Sequence, residues 1–226
     1  ERARHLPAAA TLPTRERASA LIAQGQRVYS LGLGQSPFPV PEAVVEALRA
    51  NAHERDYLPV RGLLALRQAI AEYHRRRHEL ARGADDVVVG PGSKELMFLL
   101  QLAFAGELLI PTPAWVSYEP QARIAGRTIR RVPTDPEHGF RLDPAVLDAC
   151  IAASPAAAHL LVLNSPATPT GSSHARGELA ALAGVCRARR IVVLSDEIYG
   201  ELTFSGAHAS IAELYPEGTV VASGLS

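Results

Sequence analysis

The sequence predicts an α/β fold in which helices cover both faces of a mostly parallel β-sheet, giving three layers. From about residue 41 onward, amphipathic helical stretches alternate with short, strongly apolar runs, which is the pattern of parallel strands joined by helices. These runs are continuously apolar, as expected for strands that are buried on both faces. With 226 residues, 47% of them hydrophobic, the chain is long enough to bury one substantial core.

Two helices are predicted ahead of most of the sheet. Pro41 opens a helical stretch that ends near Asn51, because proline fits the first turn of a helix, where its missing N–H is not needed. A longer helix is predicted over residues 62–78, and arginines 75, 76 and 77 close it near the negative end of the helix dipole. One face of this helix is formed by Leu63, Leu66, Ile70 and Tyr73.

Five short runs rich in leucine and β-branched residues are predicted to be the buried strands, separated by helical segments. They are residues 87–89, 108–110, 160–163, 191–194 and 219–221. In parallel sheets, ligands bind beyond the carboxyl ends of the strands. Functional residues are therefore expected directly after each run.

The predicted domain boundary lies before the first of these helices. Residues 1–38 are assigned to an N-terminal arm and small-domain segment, and residues 39–226 to a large domain. The assignment rests on the close spacing of turn-forming residues in this region, which is typical of a connecting segment. They are Gly32, Gly34, Pro37, Pro39 and Pro41.

Composition argues against several classes of partner. Lys+Arg and Asp+Glu both total 23, so there is no net positive charge to attract nucleic acid or an anionic membrane. The most apolar stretch, residues 96–110, is too short to span a bilayer. Cys150 and Cys186 lack metal-ligand or CxxC spacing, and the histidines show no metal-ligand spacing either. We expect buried free thiols, a reducing compartment such as the cytoplasm, and no metal.

Two of the strand-end segments have the composition of a binding site for a phosphorylated, flat ligand. The segment GPGSKE, residues 90–95, opens a helix whose free N–H groups, with the Ser93 hydroxyl and the Lys94 ammonium, suit a phosphate. An ordinary turn with Ser93 as helix cap is the alternative. The segment PTPAWVSY, residues 111–118, carries the sole tryptophan, Trp115, which can stack on a flat ring or simply pack.

Two later segments place polar groups after strands. NSPATPTG, residues 164–171, is a rigid polar loop or, alternatively, only a well-formed turn. SDEIY, residues 195–199, follows four apolar residues, so Asp196 lies one residue beyond the apolar run, where an unpaired carboxylate would be costly. Asp196 is therefore expected to face a cationic or protonated partner, with a helix cap or a structural ion pair as the alternative.

These four segments, in this order, resemble the class I/II aminotransferases, a family of fold-type I pyridoxal phosphate (PLP) enzymes, over essentially the whole chain. The resemblance implies the large domain of that fold and PLP as the cofactor. It also implies that Asp196 pairs with the pyridinium nitrogen and that Tyr199 donates to the ring's phenolic oxygen. The matching phosphate-binding residues are Gly92, Ser93 and Lys94, and Trp115 matches the residue that stacks on the ring.

Two earlier segments extend the resemblance. YLPVRG at residues 57–62 and LRQAI at residues 66–70 resemble a stretch whose tyrosine, here Tyr57, reaches the cofactor phosphate of the partner subunit. A homodimer with shared active sites is implied, although Tyr57 can equally be an ordinary half-buried tyrosine. Gly34 resembles the glycine beside the substrate carboxylate.

One position in the loop departs from the family pattern. Thr168 stands where the family usually has an asparagine that donates to the phenolic oxygen. A threonine hydroxyl can still donate, but its shorter reach calls for a bridging water or leaves Tyr199 as the main donor.

The last residues, VVASGLS at 220–226, resemble the strand and lead-in to the family's Schiff-base lysine. We expect that lysine directly after Ser226, with Ser226 beside the cofactor and further residues before Glu1. The catalytic lysine would then lie outside the given residues, and Asp196 and Tyr199 would support it.

The resemblance implies an enzyme that moves an amino group between an amino acid and a 2-oxo acid. A carbon–sulfur lyase, a decarboxylase or another fold-type I enzyme would use the same residues, since cofactor binding does not fix the reaction. A non-catalytic sensor domain of the same fold is a further alternative. A nucleotide-binding domain is disfavoured because GxGxxG and GxxxxGK[ST] loops are absent from the sequence.

Overall fold

The computed structural model describes residues 11–29, 34, 36, 38–204 and 206–225. The described chain divides into two compact units, one ending at Pro59 and the other beginning at Val60. The first unit contains helices α1 (Thr11–Ala23) and α2 (Glu42–Asn51). Helix α2 begins directly after Pro41, as predicted. The arm and large-domain boundary near residue 38 stays a prediction.

The second unit alternates strands and helices. Its helices are α3 (Leu64–His78), α4 (Ser93–Ala103), α5 (Tyr118–Ile124), α6 (Pro144–Ala152) and α7 (Arg176–Ala188). Its strands are β1 (Glu107–Thr112), β2 (Thr128–Pro133), β3 (His159–Asn164), β4 (Val192–Asp196) and β5 (Thr219–Ala222). Strands β1, β2 and β3 are each followed by an α-helix that carries the chain to the next parallel strand, whereas short 3-10 turns connect β4 to β5.

The five strands form one sheet in the order β2-β1-β3-β4-β5, and every neighbouring pair is parallel. The predicted α/β class with a parallel sheet is confirmed. Strand β2 escaped prediction because Arg130 and Arg131 interrupt its apolar run. Because β2 is an outermost strand of the sheet, its two arginines can reach acidic partners. Arg130 binds Glu107 at 2.9 Å, and Arg131 binds Glu119 on α5.

Strand alternation divides the core into two layers. Leu109, Leu161 and Val193 pack with α6 and α7 in one cluster. Leu108, Leu160 and Leu194, one residue earlier or later on the same strands, pack with α4 and α5 in the other. Because successive side chains point to opposite faces of a strand, a residue's parity in the sequence decides which helices it meets. These are the three layers expected from the sequence.

The prediction of a strand at residues 87–89 was wrong. This segment is extended but belongs to no strand of the described sheet, and Val88 is 54% exposed. Its backbone makes one bond of strand type, from Val89 N–H to the Arg61 carbonyl at 3.0 Å. A short apolar run becomes a strand only where a neighbour offers a continuous ladder of partners, which the described residues do not supply here.

The apolar face assigned to α3 is not its buried face. Leu63 and Leu66 are exposed, whereas Arg67, Ala71 and His78 are buried. The guanidinium of Arg67 is accommodated because it donates to the carbonyls of Gly62 (3.2 Å) and Ala84 (2.7 Å). Backbone hydrogen bonds of this kind offset the free-energy cost of burying a charge. The spacing of apolar residues in the sequence gives no sign of these bonds.

Both cysteines are free and lie on the helices expected for them. Cys186 on α7 is fully buried, and burial raises the pKa of its thiol to about 12, while Cys150 on α6 is only half-buried. None of the helices in the described part of the chain is both long and apolar enough to cross a bilayer.

Candidate active site

The parallel sheet brings the candidate segments of the second unit together at the carboxyl ends of its strands. In the strand register, Asn164 at the end of β3 lies opposite Asp196 at the end of β4, and Asp196 lies opposite Ala222 at the end of β5. The backbone carbonyl of Asp196 accepts from the Asn164 side chain (2.9 Å) and from Ser165 N–H (3.2 Å). Three segments that are distant in sequence therefore converge at Asp196.

Asp196 is a buried carboxylate with a specific donor. Its residue is 3% exposed, and its Oδ2 accepts a hydrogen bond of 2.6 Å from the hydroxyl of Tyr118. Its Oδ1 accepts a weaker bond of 3.3 Å from Ile198 N–H. Asp196 lies two residues after Leu194 on β4, so both side chains point to the same face of the sheet, the one covered by α4 and α5. Tyr118 is the first residue of α5 on that face. Both described donors are uncharged.

Burial raises the pKa of the Asp196 carboxyl above its usual value, and the nearby charge of Glu197 raises it further. The Tyr118 hydroxyl and the Ile198 N–H act in the opposite direction, because each stabilises the ionised form. Burial, followed by the Asp196 charge, raises the pKa of Tyr118 well above that of an ordinary tyrosine, so Tyr118 stays a donor. A carboxylate that is this poorly solvated is suited to a cationic ligand N–H.

Tyr118 is a candidate site residue that the sequence prediction did not include. It ends the 111–118 segment, where the pattern points to Trp115 alone. The sequence does contain one indication of its role: Tyr118 lies three residues after Trp115 near the start of a helix, and this spacing puts the two rings on the same side of the chain. In the structure the two rings meet edge to face, with centroids 5.3 Å apart.

The segment predicted to bind phosphate lies beside Trp115. Gly92 precedes α4 with φ of 109°, a conformation that disfavours other residues, and a Cβ built there would meet open space. Ser93 is the first residue of α4 and makes no cap bond with its side chain, so the cap alternative is wrong. The ammonium of Lys94 lies 5.0 Å from the centre of the Trp115 ring. A positive group, a helix start and a half-buried aromatic face are thus adjacent.

Thr168 is tied to Asp196 through Asn164. Its backbone N–H donates to Asn164 Oδ1 at 2.7 Å, and the amide of the same Asn164 donates to the Asp196 carbonyl. A cavity at the carboxyl ends of β1 and β3 is lined by Ala114, Tyr118, Asn164 and Thr168. The 164–171 loop is therefore fixed to the strand end that carries the acid.

Tyr199 follows Asp196 in the turn that leaves β4. Its side chain is 38% exposed, and the turn is closed by Gly200 N–H donating to the Glu197 carbonyl at 2.9 Å. Tyr199 therefore leaves β4 three residues after Asp196, in a turn that the backbone closes. Of the predicted cofactor residues, the second unit thus brings together Gly92, Ser93, Lys94, Trp115, Thr168, Asp196 and Tyr199.

Three further predicted residues are not part of this constellation as described. Gly34 and Tyr57 belong to the first unit, where the Tyr57 side chain is fully exposed. Ser226 lies outside the described residues. Their roles stay predictions.

As pH rises, the cofactor-free complete protein carrying Asp196→Asn is expected to become more stable relative to the wild type at the same pH. The raised folded pKa of Asp196 means that the wild type loses stability as pH rises from the usual aspartate range through that pKa, by about 1.4 kcal/mol for each pH unit between the unfolded and folded pKa values. The amide is never ionised, yet its oxygen can still accept from Tyr118. The free energy of unfolding, measured with urea at several pH values, checks the expectation.

Asp148→Asn is the matched control, because Arg189 lowers the pKa of that carboxyl. Its variant should lose stability relative to the wild type as pH rises through the aspartate range. Identical pH curves for Asp196→Asn and the wild type would contradict the prediction.

Known proteins resemble this chain in both sequence and fold. A family model for aminotransferases of class I and II matches residues 26–226. The aspartate aminotransferase of Geobacillus stearothermophilus is 37% identical over the whole of this chain and 59% of its own length. The arginine–pyruvate transaminase of Pseudomonas aeruginosa is 36% identical over 88% of this chain and 51% of its own. The solved structure of the aspartate aminotransferase of Thermus thermophilus with maleate superimposes with a TM-score of 0.93, 34% identity and coverage of 99% of this chain and 59% of that one.

The chain spans about 59% of the length of the aspartate aminotransferases that it matches. The names of the relatives differ in the amino acid that they specify, from aspartate to arginine. The chain is therefore similar in sequence to transaminases that are named for different amino acids.

Proposed function

Because this chain belongs to the class I and II aminotransferase family, we propose that the complete protein is an aminotransferase that moves an amino group between an amino acid and a 2-oxo acid. The family depends on PLP. The observation that carries the proposal is the buried Asp196 carboxylate at the end of β4, held by Tyr118 and close to Trp115 and the start of α4.

The residues fit PLP at both of its ends. When bound, PLP supplies an electron-poor ring that takes up the electron pair left when a substrate Cα loses its proton. Asp196 would pair with the ring nitrogen and keep it protonated, which answers its need for a cationic partner. At the other end, the N–H groups at the start of α4, the Ser93 hydroxyl and the Lys94 ammonium would hold the phosphate.

The remaining contacts would orient the ring. Trp115 offers a half-buried indole face for stacking. Tyr199, and Thr168 directly or through a water, would donate to the phenolic oxygen. Tyr118 acts through Asp196, because its hydroxyl fixes which carboxylate oxygen is free to face the ring nitrogen. Pre-oriented donors of this kind hold charge without rearranging during the reaction.

The shared site and the location of the protein are part of the same proposal. The complete protein acts as a homodimer in which Tyr57 reaches the partner subunit's cofactor phosphate, and the full exposure of Tyr57 supports this role. Gly34 would lie beside the substrate carboxylate and Ser226 beside the cofactor. A cytoplasmic location is supported by the two free cysteines.

A donor and acceptor screen tests the proposed activity. Complete protein loaded with PLP is incubated with aspartate, asparagine or arginine and with pyruvate or other 2-oxo acids, and the new amino acid is quantified. Amino transfer that requires both substrates supports the proposal. Release of ammonia and a thiol from cystathionine without amino transfer would instead indicate a carbon–sulfur lyase, and PLP binding without any turnover would indicate a sensor.

Thr168→Asn is expected to shift the pH midpoint of the visible absorbance change of bound PLP to lower values. The longer amide side chain can donate directly to the phenolic oxygen, and a donor stabilises the anionic form of that oxygen. The matched control is Thr170→Asn, two residues further along the same loop, where the hydroxyl hydrogen-bonds with Ser172 instead. A spectral titration that is unchanged in Thr168→Asn would show that this position does not touch the ring.

A further inference from the structure

A second buried polar cluster lies directly behind Asp196. It consists of Ser195, Glu197, His208 and Ser210, and we refer to it as the Glu197 cluster. Oε1 of Glu197 accepts from the hydroxyls of Ser195 (2.7 Å) and Ser210 (2.6 Å). Oε2 is 2.9 Å from Nε2 of His208. The side chains of Glu197 and His208 are only 5% and 7% exposed.

The cluster occupies the opposite face of the sheet from the candidate active site. Ser195 and Glu197 share the parity of Val193, which packs with α6 and α7, whereas Asp196 points to α4 and α5. Two consecutive carboxylates at the end of β4 are therefore both buried, on opposite faces. Burying a carboxylate is costly unless donors surround it, and three donors surround this one.

His208 contacts the turn that carries Tyr199 as well as the Glu197 carboxylate. A Cβ added to Gly200 would lie 3.1 Å from Cδ2 of His208, so the imidazole packs against the Gly200 backbone. The Gly200 N–H closes the turn onto the carbonyl of Glu197. The imidazole thus holds both ends of the turn on either side of Tyr199.

His208 is itself held from a third direction. The ring of His78, the last residue of α3, meets it edge to face with centroids 5.7 Å apart. Nδ1 of His78 is 3.0 Å from Oε1 of Glu213. The titratable groups near His208 include Glu197 directly after β4, His78 at the end of α3 with Glu213 behind it, and Glu201 in the turn, whose carboxyl pKa is lowered chiefly by the Tyr73 hydroxyl and to a smaller extent by His208. This packing restricts the imidazole to the orientation that meets Glu197.

We propose that His208 is a positioning residue for the candidate active site: through Glu197 and Gly200 it fixes the turn after β4, and so the directions in which Asp196 and Tyr199 face. The inference rests on the proposed function. Glu197 N–H is already bonded to the Ala222 carbonyl, and the Asp196 carbonyl to Asn164 and Ser165. The strand end is thus fixed by its neighbours. The turn beyond it is held on its inner side by the Glu197 cluster and further along by Glu201, which accepts from Tyr73 and Arg77.

The test compares three variants of the complete protein. His208→Leu removes the donor to Glu197, while His208→Gln keeps an N–H donor near the position of Nε2. His138→Leu is the matched control, because His138 also lies 2.9 Å from a carboxylate, that of Asp135, but on an exposed surface turn. Amide hydrogen exchange of the peptide covering residues 197–202 is measured without cofactor, and the pH midpoint of the visible absorbance of bound PLP is measured with it.

His208→Leu should speed exchange of the 197–202 peptide by about tenfold, with little change in the peptide that covers α4. It should also move the spectral midpoint by about half a pH unit, because Tyr199 and Asp196 no longer face the ring as before. His208→Gln should restore most of both properties, and His138→Leu should change neither. Unchanged exchange and an unchanged midpoint in folded His208→Leu would overturn the proposal.

Failure of His208→Leu to fold and failure of the wild type to bind PLP lead to different conclusions. If His208→Leu does not fold, Ser195→Ala removes a different donor to Glu197 and should produce a smaller change of the same kind; no change there would overturn the proposal. If the wild type binds no PLP, the proposed function fails, while the exchange measurement still decides whether His208 fixes the turn.

Discussion

Asp196→Ala is expected to abolish amino transfer by the complete protein, with kcat falling about a thousandfold or more, a loss on the order of several kcal/mol. The variant removes the one buried carboxylate of the site that lies within hydrogen-bond distance of Tyr118. The ring nitrogen of PLP would then lack the partner that keeps it protonated, and the uptake of electrons by the ring would weaken. Steady-state kinetics with the donor and acceptor pair found in the screen give the measurement.

Asp148→Ala serves as the control for this variant, since it removes an exposed carboxylate from α6 that pairs with Arg189. It should keep wild-type kinetics. Asp196→Ala also leaves the buried Tyr118 hydroxyl without its acceptor, so PLP binding and thermal unfolding are measured alongside. Near-normal amino transfer by a folded Asp196→Ala protein would show that the assignment of Asp196 is wrong.

Borohydride reduction of the intact, PLP-loaded protein is expected to attach a pyridoxyl label to a lysine beyond Ser226. Ala222 lies opposite Asp196 in the strand register, so the chain that leaves β5 starts beside the predicted ring-binding carboxylate. A lysine there can act first as nucleophile and then as proton carrier at the substrate Cα. Lys94, the one lysine of these 226 residues, lies at the start of α4 against Trp115, where the phosphate is expected.

Tandem mass spectrometry of the reduced protein locates the label. A sample reduced before PLP is added serves as the control and should carry none. Replacing the labelled lysine with alanine should abolish amino transfer, and residues 1–226 alone should show no amino transfer at all. A label on Lys94, or on no lysine, would contradict the prediction.

The positions of most strands followed from local pattern. Runs such as 160–163 and 191–194 are continuously apolar, and this property is enough to place them inside a two-faced sheet. Strand β2 was missed and residues 87–89 were wrongly assigned, for the same reason. Whether a segment pairs depends on its neighbours in space. Strand β2 has β1 beside it, while the one backbone bond of strand type described for residues 87–89 goes to Arg61.

The sequence predicted the burial of one charged residue, Asp196, from its position beside an apolar run. It gave no sign that Arg67 is buried. Only Ser195 separates Asp196 from a run of four apolar residues, so its burial could be expected, and it is 3% exposed. Arg67 lies in a helix beside exposed leucines, and its burial depends on the carbonyls of Gly62 and Ala84. Backbone acceptors from another segment leave no trace in the apolar pattern of the helix.

The sequence by itself determined the fold class and family of this chain, and the strand ends at which its candidate active site forms. Those properties depend on local composition and on short motifs, which are readable without coordinates. Only the tertiary structure decided that Tyr118 donates to Asp196 and that His208 and two serines surround Glu197. The Tyr118 and Asp196 contact joins residues 78 positions apart, on a helix and a strand that meet only when the α4 and α5 layer packs onto the sheet. Strand alternation then sends the two adjacent carboxylates to opposite faces, and so gives them different partners.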